Sequence, residues 1–165
     1  MKAAVANQIN NPTFILCRPR SRSTWLSLFL GGTHDPSAYT HITELGKYKV
    51  VVDTGLALHF GKLKVLYPKS NFFLLLRNKL DCLKSVRQLG YGEDWFYPVS
   101  NAVDSLVGII PPIYSELLDD KKYLKNLYEI INNKECTDDY IREFQCAKID
   151  IIPRQFLKEM NKCSE

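Results

Sequence analysis

The sequence lacks the features that define several protein classes. Its longest apolar runs, such as Phe72–Leu76, are far shorter than the roughly 20 residues that cross a bilayer. Residues 1–12 are interrupted by polar side chains and do not resemble a secretion signal. We therefore predict a protein that stays in the cytosol and has no membrane partner.

Cysteine and charge exclude further classes. The chain has five cysteines, an odd number, and they show no CxxC or Cys/His metal spacing, so we expect neither a disulfide framework nor a metal site. The formal net charge is only +4, and the basic residues are scattered among acidic ones. General nucleic-acid binding usually needs a concentrated basic face, so we predict no nucleic-acid partner and favour a small anionic ligand.

The order of the predicted elements indicates one α/β domain spanning residues 1–165. Strands at 13–17, 49–53 and 71–76 each precede a helix, at 23–30, 56–66 and 79–89. This alternation predicts a three-layer α/β/α fold with a mostly parallel sheet. The C-terminal half is predicted to be mainly helical, with one helix or a pair of helices over 114–132, further helices at 139–144 and 155–162, and a strand at 147–152.

A polar loop follows the first predicted strand, where parallel sheets commonly bind anions. Its sequence does not fit the nucleotide triphosphatase loop GxxxxGK[ST], because Cys17 and Arg22 replace the two glycines and Ser23 replaces the lysine. The cation is instead Arg20, three residues before Ser23. The segment Pro19-Arg20-Ser21-Arg22-Ser23-Thr24-Trp25-Leu26 resembles the 5′-phosphosulfate loop of sulfotransferases, P-[KR]-S-G-[ST]-[ST]-W-L.

A second segment carries the same resemblance. Arg77 follows the third strand and Ser85 lies eight residues later, as in the family pattern R-[ND]-P-x-D-x-x-x-S, with Lys79 in place of proline. The two motifs cover about residues 13–90. The resemblance implies a P-loop-type sulfotransferase fold that uses 3′-phosphoadenosine 5′-phosphosulfate (PAPS) and releases adenosine 3′,5′-bisphosphate (PAP).

The resemblance also implies residue roles at two ends of one nucleotide. Arg20, Ser23 and Thr24 would hold the 5′-phosphosulfate, with Arg20 stabilising charge on the bridging oxygen, while Arg77 and Ser85 would clamp the 3′-phosphate. The other expected nucleotide contacts are Arg18, Ser21, Arg22 and Trp25. The family has glycine at position 22, so either Arg22 adopts a glycine-like backbone or points outward, or the loop is altered enough to weaken binding.

Sulfuryl transfer to a hydroxyl or an amine needs a proton acceptor. The family's histidine after the second strand has no counterpart in residues 52–55. We predict Asp35 as the base, with His34 assisting it, and Asp53 as the alternative. Tyr91 and the residues Trp95, Phe96 and Tyr97 are candidates for the wall of an acceptor pocket.

Three functions remain open at this point. The favoured one is a PAPS-dependent sulfotransferase with a small-molecule or saccharide acceptor. The family's later glycine-rich segment is not recognisable, so the first alternative is a catalytically degenerate adenine-nucleotide-binding protein. A P-loop nucleoside or nucleotide kinase is the second, disfavoured because the loop lysine is missing and no acidic magnesium ligand follows Leu76.

Overall fold

The computed structural model describes residues 11–146, so the strand predicted at 147–152 and the helix predicted at 155–162 lie outside the described residues. The described chain has a five-stranded sheet in the order β2-β3-β1-β4-β5, with every neighbouring pair parallel. The strands are β1 (Thr13–Cys17), β2 (Thr33–His34), β3 (Val50–Asp53), β4 (Phe72–Leu76) and β5 (Pro112–Tyr114). The α/β class predicted from the sequence is confirmed.

Six α-helices are described. They are α1 (Ser23–Phe29), α2 (Phe60–Leu66), α3 (Lys79–Gln88), α4 (Phe96–Leu106), α5 (Lys121–Asn132) and α6 (Asp138–Cys146). Short 3₁₀ helices at Pro36–Ala38, Ile42–Lys47, Leu56–His59 and Ser115–Leu117 lie in the connections.

The central strand β1 is buried on both faces, and its alternating side chains enter two separate cores. Phe14 and Leu16 pack into a core with residues of α2 and α4, whereas Ile15 and Cys17 pack into a core with residues of α1, α5 and α6. Because alternate residues of a strand point to opposite faces, this division places helices on both sides of the sheet. The arrangement is consistent with three layers.

The structure differs from the sequence prediction in five elements. β2, β5 and α4 were not predicted, and the helix expected from residue 114 begins instead at Lys121, because Tyr114 closes strand β5. β2 has only two residues, too few to show a period. β5 begins at Pro112, and proline is accepted at the first position of an edge strand. The segment predicted as one helix over 56–66 is a 3₁₀ turn followed by α2.

The parallel register brings all the strand ends of the sheet to one edge. Leu16 pairs with Asp53, Cys17 with Leu75, and Leu76 with Tyr114. Residues that directly follow β1, β2, β3, β4 and β5 therefore meet at this edge, where open parallel sheets form their ligand crevice.

Candidate functional site

A cleft of about 800 Å³ opens at the carboxyl ends of the strands, and we call it the strand-tip cleft. Its lining comes from the ends of all five described strands and from α3. The predicted site residues in the lining are Arg20, Arg22, Ser23, Thr24, His34, Asp35, Arg77 and Ser85. A volume between 300 and 1,000 Å³ is typical of pockets for ligands of nucleotide size.

The backbone between β1 and α1, residues 18–22, is strained at two arginines. Arg20 has φ 66° and Arg22 has φ 69°, both in the left-handed region that favours glycine. Such a conformation costs about 1–2 kcal/mol for a residue with a side chain. Of the alternatives that the sequence left open for position 22, the structure has the glycine-like backbone.

Tertiary hydrogen bonds hold this loop in its strained form. The Arg77 guanidinium donates from Nη1 to the carbonyl oxygen of Arg20 at 2.6 Å, and the Ser115 hydroxyl donates to the carbonyl oxygen of Ser21 at 3.2 Å. Ser21 itself is fully buried and donates to the carbonyl oxygen of Arg18 at 2.9 Å. The ends of β4 and β5 therefore fix the loop that follows β1.

The two sequence motifs meet in this cleft. The Arg20 guanidinium donates from Nε to the Ser85 hydroxyl at 2.9 Å, and the Arg77 guanidinium lies against the backbone of Arg20. The sequence predicted these groups at opposite ends of a nucleotide. In the structure these groups form one contiguous cluster in the strand-tip cleft, and Lys84 on α3 adds a further cation to the lining.

A second polar cluster lies at the end of β2. The His34 Nε2 atom is 2.9 Å from the Ser23 hydroxyl, 3.5 Å from the Thr24 hydroxyl and 3.5 Å from Asp35 Oδ2. The other Asp35 oxygen accepts a hydrogen bond from the backbone N–H of Thr54 at 2.8 Å. The first turn of α1 is thus joined through His34 to the predicted base.

The environment of Asp35 favours its protonated form. Burial raises the pKa of this carboxyl, and the nearby Asp53 carboxylate raises it further, while His34 and the hydrogen bond from Thr54 act in the opposite direction. A carboxyl group with a raised pKa, a histidine beside one of its oxygens and a position in a cleft has the properties of a general base.

Asp53, the alternative base, has a structural role. Its side chain is fully buried, and its carboxylate accepts hydrogen bonds from the backbone N–H groups of Ser37, Gly55 and Leu56 and from the Ser37 hydroxyl. These bonds cap the turn after β3 and tie it to the segment after β2. The base prediction for Asp53 is corrected accordingly, because its oxygens are engaged beneath the cleft lining.

Three predicted nucleotide contacts are also corrected. Arg18 is buried, donates from Nε to the Ser100 hydroxyl at 2.8 Å and forms an ion pair with Asp104. Ser21 is enclosed by the loop that it stabilises. Trp25 stacks on Phe29 in the core, with ring centroids 5.3 Å apart. These three side chains are buried in the protein interior and help to hold the β1–α1 loop.

The side chain of Arg22 lies at the edge of the cleft. Its Nη1 atom is 3.1 Å from Asp119 Oδ1, and its guanidinium carbon is 5.0 Å from the centre of the Trp25 ring. Asp119 is 80% exposed, so this ion pair is largely hydrated. The Arg22 guanidinium is therefore held in place only weakly.

Sequence reasoning missed several residues of the lining. Asp81, Lys84 and Gln88 lie on the same face of α3 as Ser85, and their spacing of three and four residues was a readable signal. Glu116 and Asp119 were missed because β5 was not predicted. Of the four aromatic candidates, Tyr91 and Trp95 line the cleft, Phe96 is fully buried and Tyr97 hydrogen-bonds Glu93.

The fold and the cleft together define an α/β protein with a cleft of basic and acidic side chains at the carboxyl edge of a parallel sheet. Comparisons of the sequence with protein-family models and with curated proteins give no match.

Over residues 11–146, no helix has both the length and the apolar character that a bilayer crossing needs. Nor does this part of the chain bring together three His, Cys, Asp or Glu side chains in a way suited to a metal ion.

Proposed function

We propose that this chain binds PAPS in the strand-tip cleft and transfers its sulfuryl group to an acceptor hydroxyl or amine. The single observation that supports this proposal best is the contact between the two motifs. Arg20 from the β1–α1 loop bonds Ser85 of α3, and Arg77 from the end of β4 bonds the Arg20 carbonyl. The fold thus brings Arg20 into contact with two residues that lie 57 and 65 positions further along the chain.

Guanidinium groups suit this ligand because each presents several N–H donors in a planar fork that matches phosphate and sulfate oxygens. PAPS carries its negative charge at two positions, so binding would separate Arg20 from Ser85 and let each take an anionic oxygen. Arg77 would keep the 3′-phosphate close to Ser85. The α1 helix has seven residues, and the proposal relies on the arginines rather than on its N-terminus.

The cluster at the end of β2 supplies the groups for proton transfer. As the acceptor oxygen or nitrogen attacks sulfur, its proton would pass to the Asp35 oxygen that faces His34. The bond between sulfur and the bridging phosphate oxygen would break, and PAP would leave with that electron pair, stabilised by Arg20. His34 would keep Asp35 oriented through its contacts with Asp35 and Ser23.

Calorimetric titration with PAP tests the nucleotide site directly. We expect the protein to bind PAP more tightly than ATP with magnesium, and we expect Arg77→Ala to weaken PAP binding about 10- to 100-fold, since it removes charge-assisted hydrogen bonds to a phosphate. Arg142→Ala is the matched control, because Arg142 is exposed on α6 and pairs only locally with Asp139. It should leave PAP binding unchanged.

The outcomes separate the three functions. Tighter binding of ATP with magnesium than of PAP would favour the kinase. Failure to bind either PAP or ATP would contradict the proposal. Tight PAP binding without consumption of PAPS, measured as PAP released in the presence of phenols, sugars and amines, would leave a nucleotide-binding protein without transferase activity.

A further inference from the structure

An aromatic pair forms one wall of the strand-tip cleft. Tyr91 and Trp95 both line it, their ring centroids are 6.4 Å apart, and the ring planes meet at 70°. Trp95 is 40% exposed although tryptophan is among the most apolar side chains. An edge-to-face pair with one exposed ring offers an apolar aromatic surface inside an otherwise charged cleft.

The segment that carries these rings is fixed by contacts on its outer side. Glu93, between the two aromatics, pairs with Arg87 of α3 and accepts a hydrogen bond from the Tyr97 hydroxyl at 3.1 Å. The Tyr91 backbone N–H also donates to the Val86 carbonyl at 3.2 Å, closing the end of α3. The wall is thus prepared before a ligand arrives, which lowers the entropic cost of binding.

The wall lies near both the cationic cluster and the predicted base. The Tyr91 phenol senses the charges of Arg20 and Asp35: burial raises its pKa, Arg20 lowers it and Asp35 raises it. Arg20 and Asp35 line the same cleft as Tyr91, so a ring resting against Tyr91 would share the cleft with both side chains. In the proposed function these two residues stand beside the leaving oxygen and the acceptor proton.

On the basis of the proposed function, we infer that the acceptor is a phenol, whose ring packs on Tyr91 and Trp95 while its hydroxyl faces Asp35. In the reaction, the phenol oxygen forms the new bond to sulfur and its proton goes to the Asp35 carboxylate. The bond between sulfur and the bridging oxygen breaks, and PAP leaves with the electron pair. The products are an aryl sulfate and PAP.

Two chemical arguments favour a phenol over an aliphatic alcohol or a sugar. Aromatic rings attract one another in offset and edge-to-face geometries beyond the area they bury. A phenol also has a pKa of about 10, as in the tyrosine side chain, whereas the pKa of an aliphatic alcohol, like that of water, is far higher. A carboxylate base removes the phenol proton at a far smaller cost.

Phenol and cyclohexanol form a matched pair of acceptors, because they have similar size and differ in aromaticity and acidity. We expect kcat/KM for phenol to exceed that for cyclohexanol and for N-acetylglucosamine by more than tenfold. Trp95→Ala should raise the KM for phenol about five- to tenfold, while Trp95→Phe should stay within about threefold of the wild type. Tyr114→Ala is the control, because Tyr114 is exposed and lies outside the cleft lining.

The affinity for PAP, measured by calorimetry in the same variants, distinguishes the possible failures. Should Trp95→Ala weaken PAP binding tenfold, the aromatic wall holds the adenine base and this inference is overturned. It is equally overturned if PAP binds normally and sugars or cyclohexanol are the better acceptors. If the wild type does not bind PAP, the proposed function fails, and this inference fails with it.

Discussion

Two loops that follow neighbouring strands of the same sheet differ in how they use their polar groups. After β3, the Asp53 carboxylate is fully buried and accepts hydrogen bonds from its own loop and from Ser37. After β1, Arg20 and Ser23 line the cleft, on a backbone that is strained at Arg20 and Arg22. A position at a strand tip is therefore not enough to make a binding residue. What matters is whether nearby backbone groups already engage the side chain.

The same contrast separates the two aspartates that the sequence offered as bases. Asp35 follows β2 and Asp53 ends β3 at the same edge of the sheet, yet of the two only Asp35 lines the cleft. If this division is correct, changes at Asp35 affect mainly turnover and changes at Asp53 affect mainly folding.

Asp35→Asn should lower the rate of sulfuryl transfer about 10²- to 10⁴-fold, because an amide cannot accept the acceptor's proton. PAP affinity should change by less than threefold, since PAP carries no acceptor. Single-turnover release of PAP from bound PAPS, together with calorimetry, measures both quantities. A variant that retains more than a tenth of the wild-type rate would exclude Asp35 as the base.

Asp53→Ala should lower the free energy of unfolding by about 3 kcal/mol, because it leaves three backbone N–H groups and the Ser37 hydroxyl without their acceptor. Urea unfolding measures this loss. The fraction of protein that remains folded should bind PAP with wild-type affinity.

Asp139→Ala is the control for Asp53→Ala, since Asp139 is 88% exposed and only pairs with Arg142 on the same helix. It should cost less than about 0.5 kcal/mol. A stable Asp53→Ala protein with normal PAP binding and lost turnover would return Asp53 to the list of candidate bases.

The pH dependence of stability gives a third test. Burial raises the pKa of Asp35 above its ordinary value of 3.8, so the folded state holds this proton to a higher pH than the unfolded state does. The wild type should therefore lose stability relative to Asp35→Asn as pH rises from below 3.8 through the raised native pKa. Well below pH 3.8 the difference in stability between the wild type and Asp35→Asn should vanish. Urea midpoints of both proteins between pH 3 and pH 8 measure it, and a difference that grows toward low pH would contradict it.

The strand and helix units of the first 90 residues were predictable because their signals are local. β1, β3 and β4 are apolar runs bounded by Pro19, Gly55 or Asn78. Helix α1 is followed by Gly31, whose φ of 68° is typical of a glycine after a helix end. The missed helix α4 carries Pro98 in its first turn, which proline tolerates, and it follows no strand of its own. The sequence pattern around α4 does not show that this helix packs on one face of the sheet.

The site was predictable in part for a similar reason. Arg20, Arg77 and Ser85 were found through motif spacing, and the parallel register brings them together. Arg18 was assigned wrongly to the nucleotide, because only the tertiary fold supplies Ser100 and Asp104 as its partners. Whether a loop arginine faces a ligand or the protein interior depends on contacts more than 80 residues away in sequence.

The smallest expected effect concerns the strained arginine of the β1–α1 loop. Arg22→Gly should change the free energy of unfolding by no more than about 1 kcal/mol. Glycine removes the strain of the left-handed backbone but gains freedom in the unfolded chain. It also loses the exposed ion pair with Asp119 and the contact with the Trp25 ring, each of which contributes about 1 kcal/mol or less.

Arg22→Ala separates the backbone from the side chain, because alanine loses the same contacts and keeps the strain. It should be less stable than Arg22→Gly by about 1 kcal/mol in urea unfolding. The alanine variant should also bind PAP more weakly than the glycine variant, since it must hold the loop in its strained form. If alanine proves as stable as glycine, the positive φ at position 22 contributes no strain. The contrast between a strained binding loop and a relaxed structural loop would then rest on Arg20 alone.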